Sequence, residues 1–190
     1  MEKINLYDFD KTIYDGDSSV NFFLYSVKRK PKILRRLPAM IIAATKYKLK
    51  KIDKTTMKVT IFGFLNDLDD VDKDVIDFWK KNKNKIKKFY NEKNHSKDII
   101  ISASPEFLLE PITKELKVKM LIGSPVDKKT GKFTGLNCHD VEKVRRLNEV
   151  MSDYEVEEAY SDSTSDDPIL KLAKKAYYVK KDKLIEAKFK

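Results

Sequence analysis

The sequence predicts an α/β fold in which a parallel sheet carries a helical segment inserted after its first strand. In the C-terminal half, short apolar runs alternate with helical patterns, which is typical of a parallel sheet covered by helices. Between the strand-like runs at 3–9 and 97–104, apolar residues recur at helical spacing instead. The sequence therefore predicts a core domain formed by 1–14 and 98–190 and an all-helical cap domain formed by 15–97.

The core elements are expected in an order that suits parallel strands. After the strand at 97–104, the patterns predict further strands over 118–124, 156–163 and 176–180. Helices are predicted between them over 105–116, 140–151 and 167–176. A Thr-Gly turn predicts a hairpin over 126–135.

The predicted cap contains several apolar stripes at helical spacing. One stripe consists of Val20, Phe23, Leu24 and Val27. Another consists of Ile33, Leu34, Leu37 and Ile41. Pro31 and Pro38 are at positions where we expect helices to start. We expect Ile33, Leu37 and Ile41 to pack inside the cap.

The composition restricts the class of protein. Of the 190 residues, 41% are apolar, which is enough for a substantial core. The single cysteine, Cys138, excludes an internal disulfide bond and suits a reducing compartment. The sequence begins with a strand-like run rather than a signal-peptide pattern, and the apolar run at 38–44 is far shorter than the roughly 20 residues of a membrane-spanning helix. We therefore expect a cytoplasmic location.

Positive charge is concentrated in one segment, residues 28–58. This segment has 12 Lys and Arg residues and one acidic residue, Asp53, so it carries 12 − 1 = +11 of a chain total of +10. The favoured interpretation is a solvated face; the alternatives are steering of an anionic substrate and peripheral contact with an anionic membrane. Nucleic-acid binding is not expected, because no aromatic-rich strand or known binding motif accompanies the charge.

Three of the predicted strands end in polar residues. The strand ends supply Asp8, Asp10 and Thr12, then Ser102 and Ser104, then Asp162, Asp166 and Asp167. In an open parallel sheet, ligands bind at the carboxyl edge, and we expect these groups to meet there with Lys143 from a following helix. Carboxylates that hold Mg²⁺, hydroxyls and an ammonium group are the groups that phosphoryl transfer requires.

Four segments resemble, in the same order, the four motifs of the haloacid dehalogenase superfamily. They are "DFDKTI", "IISASPEF", "NCHDVEKVRRL" and "YSDSTSDDPIL". The spacing is most similar to the phosphoserine-phosphatase-like branch, whose helical cap lies between the first two motifs; here 94 positions separate Asp8 from Ser102. The resemblance covers the whole chain and implies a Rossmann-like core. Lys11 and Ser161 depart from the commonest pattern without removing a catalytic group.

The resemblance implies a role for each matching residue. Asp8 is the expected nucleophile, and Asp10 is the expected acid and base, oriented by Thr12. The expected phosphate-binding and substrate-binding residues are Thr12, Ser102, Ala103, Lys143 and Asp17. Mg²⁺ is the expected cofactor, held by Asp8, Asp10, Asp162 and Asp166.

These roles imply a Mg²⁺-dependent phosphatase that hydrolyses a small phosphomonoester, such as phosphoserine, through an aspartyl phosphate. One alternative is a peripheral membrane lipid-phosphate phosphatase such as a phosphatidylglycerophosphatase. An alternative of another class is a non-catalytic nucleic-acid-binding module.

Simpler interpretations exist for individual residues. Asp8 and Asp10 also suit a surface turn, and Thr12 and Ser102 suit local caps. Asp17 suits a helix N-cap. His95 and His139 lack metal-ligand spacing, so we expect them to be structural or exposed, and Cys138 has no paired base, so we expect it to serve packing.

Overall fold

The computed structural model describes residues 1–92 and 94–189, and over those residues it contains one six-stranded sheet. The strands are β1 (Glu2–Tyr7), β2 (Asp98–Pro105), β3 (Met120–Ser124), β4 (Tyr154–Ser161), β5 (Ala173–Lys180) and β6 (Lys183–Glu186). Their order across the sheet is β3-β2-β1-β4-β5-β6; only β6 runs antiparallel to its neighbour. The predicted parallel α/β core is confirmed.

The described residues also form eight α-helices. These are α1 (Ser18–Arg29), α2 (Leu37–Lys48), α3 (Lys54–Phe62), α4 (Val71–Asn82), α5 (Lys88–Asn91), α6 (Glu106–Glu115), α7 (Val141–Val150) and α8 (Asp167–Leu170). The first five lie between β1 and β2, and we call the segment 15–97 that contains them the helical insertion. As predicted, Pro31 opens a short 3₁₀ helix and Pro38 lies in the first turn of α2.

The sheet separates two apolar cores because successive side chains of a strand point to opposite faces. Ile4 and Leu6 of β1 join one cluster with the residues under α7 and α8. Tyr7 joins the other cluster, which also contains the buried residues of the helical insertion. This arrangement leaves the end of β1 in the middle of the sheet, with a covered core on each side.

The helical insertion is attached to the rest of the chain by specific contacts. The indole Nε1 of Trp79 in α4 donates to the carbonyl of Leu108 in α6 over 2.6 Å. At Gly131, which has φ +72°, a Cβ atom would lie 2.4 Å from the carbonyl oxygen of Phe62. Only glycine permits both this backbone conformation and such a close approach.

The C-terminal part differs from the sequence prediction. The predicted helix over 167–176 is wrong beyond its first turn: α8 ends at Leu170, and β5 begins at Ala173. Residues 173–176 instead pair with 156–159 of β4, so backbone bonding to the sheet outweighs the local helical pattern. Strand β6 was not predicted, since it is exposed throughout and shows no buried periodicity.

The apolar stripes of the helical insertion are only partly buried. Ile33 is buried and Leu37 is half-buried, as expected, but Ile41 is 62% exposed, so the prediction that it packs inside is wrong. Val20 and Leu24 are also about half exposed, at 52% and 50%. Among the described residues, no helix has both the length and the apolar character needed to cross a bilayer.

Candidate active site

Asp8 directly follows β1 at the centre of the sheet. Its backbone N–H donates to the carbonyl of Tyr160 in β4 over 2.9 Å, which fixes the position of the residue. The side chain is buried, at 7% exposure. Burial raises the pKa of the Asp8 carboxyl, and the nearby Lys143 ammonium opposes this shift.

Lys143 supplies a buried positive charge beside Asp8. It lies in the first turn of α7 and is 1% exposed. Its Nζ atom lies 2.7 Å from Oδ1 of Asp8 and 2.8 Å from Oδ2 of Asp166. Burial by itself would lower the pKa of Lys143, but the two carboxylates outweigh it and hold the pKa above its ordinary value, so the residue is a permanent cation.

Asp10 is held by hydrogen bonds rather than by a cation. Its Oδ1 accepts from the backbone N–H of Ser18 over 2.7 Å, and its Oδ2 accepts from the hydroxyl of Ser104 over 2.5 Å. Burial, followed by the charge of the neighbouring Asp17, raises the pKa of Asp10 to about 6. Ser104 was named in the sequence only as a polar strand end, and its contact with Asp10 spans 94 positions that no local pattern connects.

Two hydroxyl groups of the predicted site make hydrogen bonds within the protein. The Thr12 hydroxyl donates to Oδ2 of Asp8 over 3.3 Å, so it does not orient Asp10 as the sequence predicted. Thr12 is fully buried beside this carboxylate. The hydroxyl of Ser102 accepts the backbone N–H of Ser104 over 3.1 Å, which is the local contact considered as the simpler interpretation.

The carbonyl of Ala103 is held by a lysine from the helical insertion. Lys58 of α3 donates to this carbonyl over 2.7 Å and to the amide oxygen of Asn137 over 2.9 Å. Ser124 donates to the same carbonyl over 3.0 Å. Burial and the neighbouring Lys54 lower the pKa of Lys58 to about 8. The sequence placed Lys58 only in the basic segment and gave no signal for this contact.

All nine predicted site residues line or adjoin one cavity of about 450 Å³ between the sheet edge and the helical insertion. From the sheet side, the lining residues include Asp8, Asp10, Ser102, Ala103, Lys143, Asp162 and Asp166. From the helical insertion, they are Asp17, Ser19, Val20, Phe23, Lys54, Met57, Lys58, Ile61 and Phe62. Thr12 lies just behind this lining. Much of the wall opposite Asp8 is therefore apolar, and this location explains the exposure of Val20.

Asp17 and His139 have positions that combine a structural and a site role. Asp17 lines the cavity and also caps α1, because its Oδ1 accepts the backbone N–H of Val20 over 2.9 Å. His139 lines the cavity and lies 3.0 Å from Nζ of Lys54 through its Nε2. Burial, followed by the charge of Lys54, lowers the pKa of His139. No signal in the sequence indicated the place of His139 in this cavity.

Asp162 differs from the other carboxylates of the cavity. Its carbonyl accepts from Lys180 over 2.8 Å, but its carboxylate makes no hydrogen bond with another residue that the structure describes. Burial raises the pKa of this carboxyl, Lys11 lowers it, and Asp166 raises it. Asp166 has a different environment, since its Oδ2 also accepts the hydroxyl of Ser161 over 2.6 Å.

The carboxylates fit a hard divalent cation by charge and donor type. Five aspartates and four lysines line the cavity, so negative charge is in slight excess, and oxygen donors are those that Mg²⁺ prefers. Among the described residues, no three His, Cys, Asp or Glu side chains are already grouped as a metal site.

The remaining candidates have structural environments. His95 is buried against Asp98, 2.9 Å from its carboxylate, and Cys138 is fully buried, where burial raises the pKa of the thiol to about 11. In the basic segment, Arg35 and Arg36 both bind the buried Asp67. These two arginines are therefore not at the cavity, whereas Lys54 and Lys58 are.

Comparison with known proteins gives the chain a family. Residues 6–171 match the haloacid dehalogenase-like hydrolases. Protein CicA of Caulobacter vibrioides (strain NA1000 / CB15N) is 33% identical over 89 residues, which are 44% of this chain and 40% of CicA. The match to this curated relative thus spans less than half its length.

Two solved structures have a fold similar to that of this chain. A Bordetella pertussis Tohama I protein of unknown function superposes with a TM-score of 0.74 at 20% identity, over 94% of this chain and 90% of that one. A phosphoserine phosphohydrolase-like protein from Francisella tularensis subsp. tularensis SCHU S4 has a TM-score of 0.61 at 15% identity, over 94% and 87% of the two chains. With the family match over most of its length, this chain belongs to the haloacid dehalogenase-like hydrolases.

Proposed function

We propose that this hydrolase is a Mg²⁺-dependent phosphatase that acts on phosphomonoesters through an aspartyl phosphate. The observation that carries the proposal is the buried ion pair of Lys143 with Asp8, with Asp10 nearby in the same cavity. A carboxylate beside a fixed cation is suited to attack phosphorus, because the cation offsets the repulsion between the nucleophile and the phosphate oxygens.

In the first step, a carboxylate oxygen of Asp8 forms a bond to phosphorus while the ester P–O bond breaks. Asp10 donates a proton to the departing alkoxide oxygen. The raised pKa of Asp10, about 6, supports this role because it keeps part of the population protonated near neutral pH. The bonds from Ser18 and Ser104 hold the carboxyl in one orientation.

In the second step, Asp10 takes a proton from a water molecule as that water attacks phosphorus. The bond between phosphorus and Asp8 breaks, which releases inorganic phosphate and regenerates the carboxylate. Lys143 stays charged throughout, and Ser102 with the backbone at Ala103 lies where it can bind phosphoryl oxygens. Together, the two steps return Asp10 to its starting protonation state.

Mg²⁺ is the cofactor we propose, with Asp8, the carbonyl of Asp10 and Asp162 as its protein ligands. When bound, it supplies positive charge to the transferring phosphoryl group. We assign Asp166 the role of positioning Lys143, since its Oδ2 binds both the Lys143 ammonium group and the Ser161 hydroxyl.

We propose that residues 15–97 act as a cap domain over the core of 1–14 and 98–190. The contacts of Lys58 with Ala103 and Asn137, and of Trp79 with Leu108, support a cap closed over the site. A small phosphomonoester, with phosphoserine as one candidate, fits a cavity of about 450 Å³. Asp17 is the residue of the cap that we propose to contact the substrate.

The test is hydrolysis of a panel of phosphomonoesters, with p-nitrophenyl phosphate as the general probe, by the purified chain in Mg²⁺. Brief incubation with ³²P-labelled substrate and acid quenching should give labelled protein in the native chain and none in Asp8→Asn. Failure of the native chain to hydrolyse any member would contradict the proposal. Labelling that survives in Asp8→Asn would place the nucleophile elsewhere.

A further inference from the structure

Helix α2 presents apolar side chains on both of its sides. Met40 and Ala43 face inward and are 8% and 5% exposed. On the other side, Ile41, Ile42 and Leu49 are 62%, 55% and 60% exposed, at spacings that place them on one helix face. We call Ile41, Ile42 and Leu49 the α2 stripe; large apolar groups grouped on a surface in this way mark an interaction site.

The positive charges near this stripe are not neutralised within the protein. Lys46, Lys48, Lys50 and Lys51 are exposed and form no ion pair with any residue that the structure describes. By contrast, Arg29, Lys30, Arg35 and Arg36, at the start of the basic segment, each pair with an aspartate of the helical insertion. Four of the uncompensated charges of the basic segment thus lie beside the α2 stripe, whereas Lys28 and Lys32 lie before α2.

We propose that the α2 stripe and the lysines Lys46, Lys48, Lys50 and Lys51 form a docking surface for an anionic lipid bilayer. Apolar side chains at the centre suit the boundary of the acyl region, and lysines around them suit anionic headgroups. The 12 residues of α2 span about 18 Å, which is too short to cross a bilayer but sufficient to lie along its surface.

The charge argues against a second copy of this chain as the occupant. A symmetric dimer places the same patch of each copy against its partner, so these four lysines would face their own equivalents. No acidic residue occurs between Ile41 and Lys51 to offset that repulsion. A surface of negative charge is the complementary partner.

The docking surface also has a defined relation to the cavity. Helix α3 packs against α2 and contributes Lys54, Met57, Lys58, Ile61 and Phe62 to the cavity. Helices in contact lie about 8–10 Å apart, so docking through α2 brings the cavity to within about one helix of the bilayer. If the proposed phosphatase activity is correct, phosphomonoesters carried on lipids at that surface become its substrates; docking itself does not depend on that activity.

The experiment is co-sedimentation of the full chain with vesicles of phosphatidylcholine alone or with roughly one-third phosphatidylglycerol. The variant Ile41→Ser/Ile42→Ser tests the stripe, with Ile76→Ser, an isoleucine of α4 that is 46% exposed, as the matched control. The variant Lys48→Ser/Lys50→Ser/Lys51→Ser tests the charge, with Lys73→Ser/Lys129→Ser/Lys132→Ser as its control. The residues changed in the two test variants lie on the proposed surface, and those changed in the controls lie elsewhere. All of them are exposed.

We expect the native chain and both controls to bind the anionic vesicles, and each test variant to bind at least about tenfold more weakly. Absence of binding by the native chain would overturn the proposal. So would self-association that depends on Ile41 and Ile42, or binding that only the lysine variant weakens. Hydrolysis of p-nitrophenyl phosphate by the same samples separates the two proposals, because the stripe variant should keep the native rate whether or not docking occurs.

Discussion

The ammonium group of Lys143 lies 2.7 Å from the carboxylate of Asp8, and the lysine is only 1% exposed. Asp166 holds the same ammonium from the other side at 2.8 Å. A fixed cation between two buried carboxylates makes both the stability of the site and its proposed chemistry dependent on one side chain.

Replacing Lys143 with methionine should therefore destabilise the protein. The change leaves Asp8 and Asp166 buried without their cation, and breaking a buried ion pair from one side costs about 3–5 kcal/mol. Urea unfolding in the presence of a chelator measures the loss, and added Mg²⁺ should restore part of it. The control Lys54→Met removes a half-buried lysine without a carboxylate partner and should cost much less; equal losses would contradict the assigned role.

Asp10→Asn should slow the hydrolysis of alkyl phosphates far more than that of p-nitrophenyl phosphate. An alkoxide needs a proton to leave, whereas p-nitrophenolate does not, and general acid catalysis contributes about 100-fold or more. Steady-state rates on both substrates measure the difference. Equal slowing on the two would assign Asp10 a role other than proton donation. Asp8→Asn should abolish both activities.

Asp162→Ala should raise the Mg²⁺ concentration needed for half-maximal activity, because it removes one of the proposed metal ligands. Mg²⁺ should also raise the melting temperature of the native chain by preferential binding to the folded state, and less so that of the variant. Asp153→Ala, which changes a carboxylate outside the cavity, is the matched control. A chelator that leaves native activity unchanged would exclude the metal.

Substrate binding should weaken at high pH because Lys58 loses its charge. Burial lowers its pKa from 10.5 to about 8, so above pH 8 the native cavity loses a positive charge. The KM for an anionic substrate should then rise above about pH 8. In Lys58→Arg the charge persists, because the guanidinium has a pKa above about 12, and this rise should disappear. A parallel rise in both proteins would assign it to another group.

Changing Arg35 and Arg36 to serine should affect stability but not the choice between substrates of different charge. Both arginines bind Asp67, whose side chain is 5% exposed and whose pKa is lowered first by Arg36. We expect a lower melting temperature and an unchanged ratio of kcat/KM for multiply charged and singly charged substrates at low and high salt. A salt-sensitive fall in this ratio would support long-range steering by the basic segment.

The sequence was sufficient to locate the sheet edge of the cavity. Asp8, Ser102 and Asp162 each follow an apolar run, and the ends of parallel strands meet whatever lies between them in the chain. The side-chain hydrogen bonds of the site were harder to predict from the sequence. Thr12 donates to Asp8 rather than serving Asp10, because the direction of a hydroxyl depends on the turn that carries it.

The contribution of the helical insertion was not accessible from local patterns. Lys58 and Ala103 are 45 positions apart, and nothing in either segment indicates their contact. Ile41 was assigned to the interior because an apolar stripe indicates one buried face. In α2 the opposite side, with Met40 and Ala43, is also apolar, and only packing decides which side is covered.

The position of β1 in the sheet has a consequence for the order of folding. Asn5 of β1 pairs with Asp98, and Glu2 of β1 pairs with Tyr154, so β1 needs partners that are synthesised well after it. Residues 15–97 leave the ribosome before either partner does. Pairings of such long range form slowly, so β1 stays unpaired with β2 and β4 while the inserted helices can already form. The carboxylate proposed as the nucleophile is thus synthesised well before the strands that fix it in place.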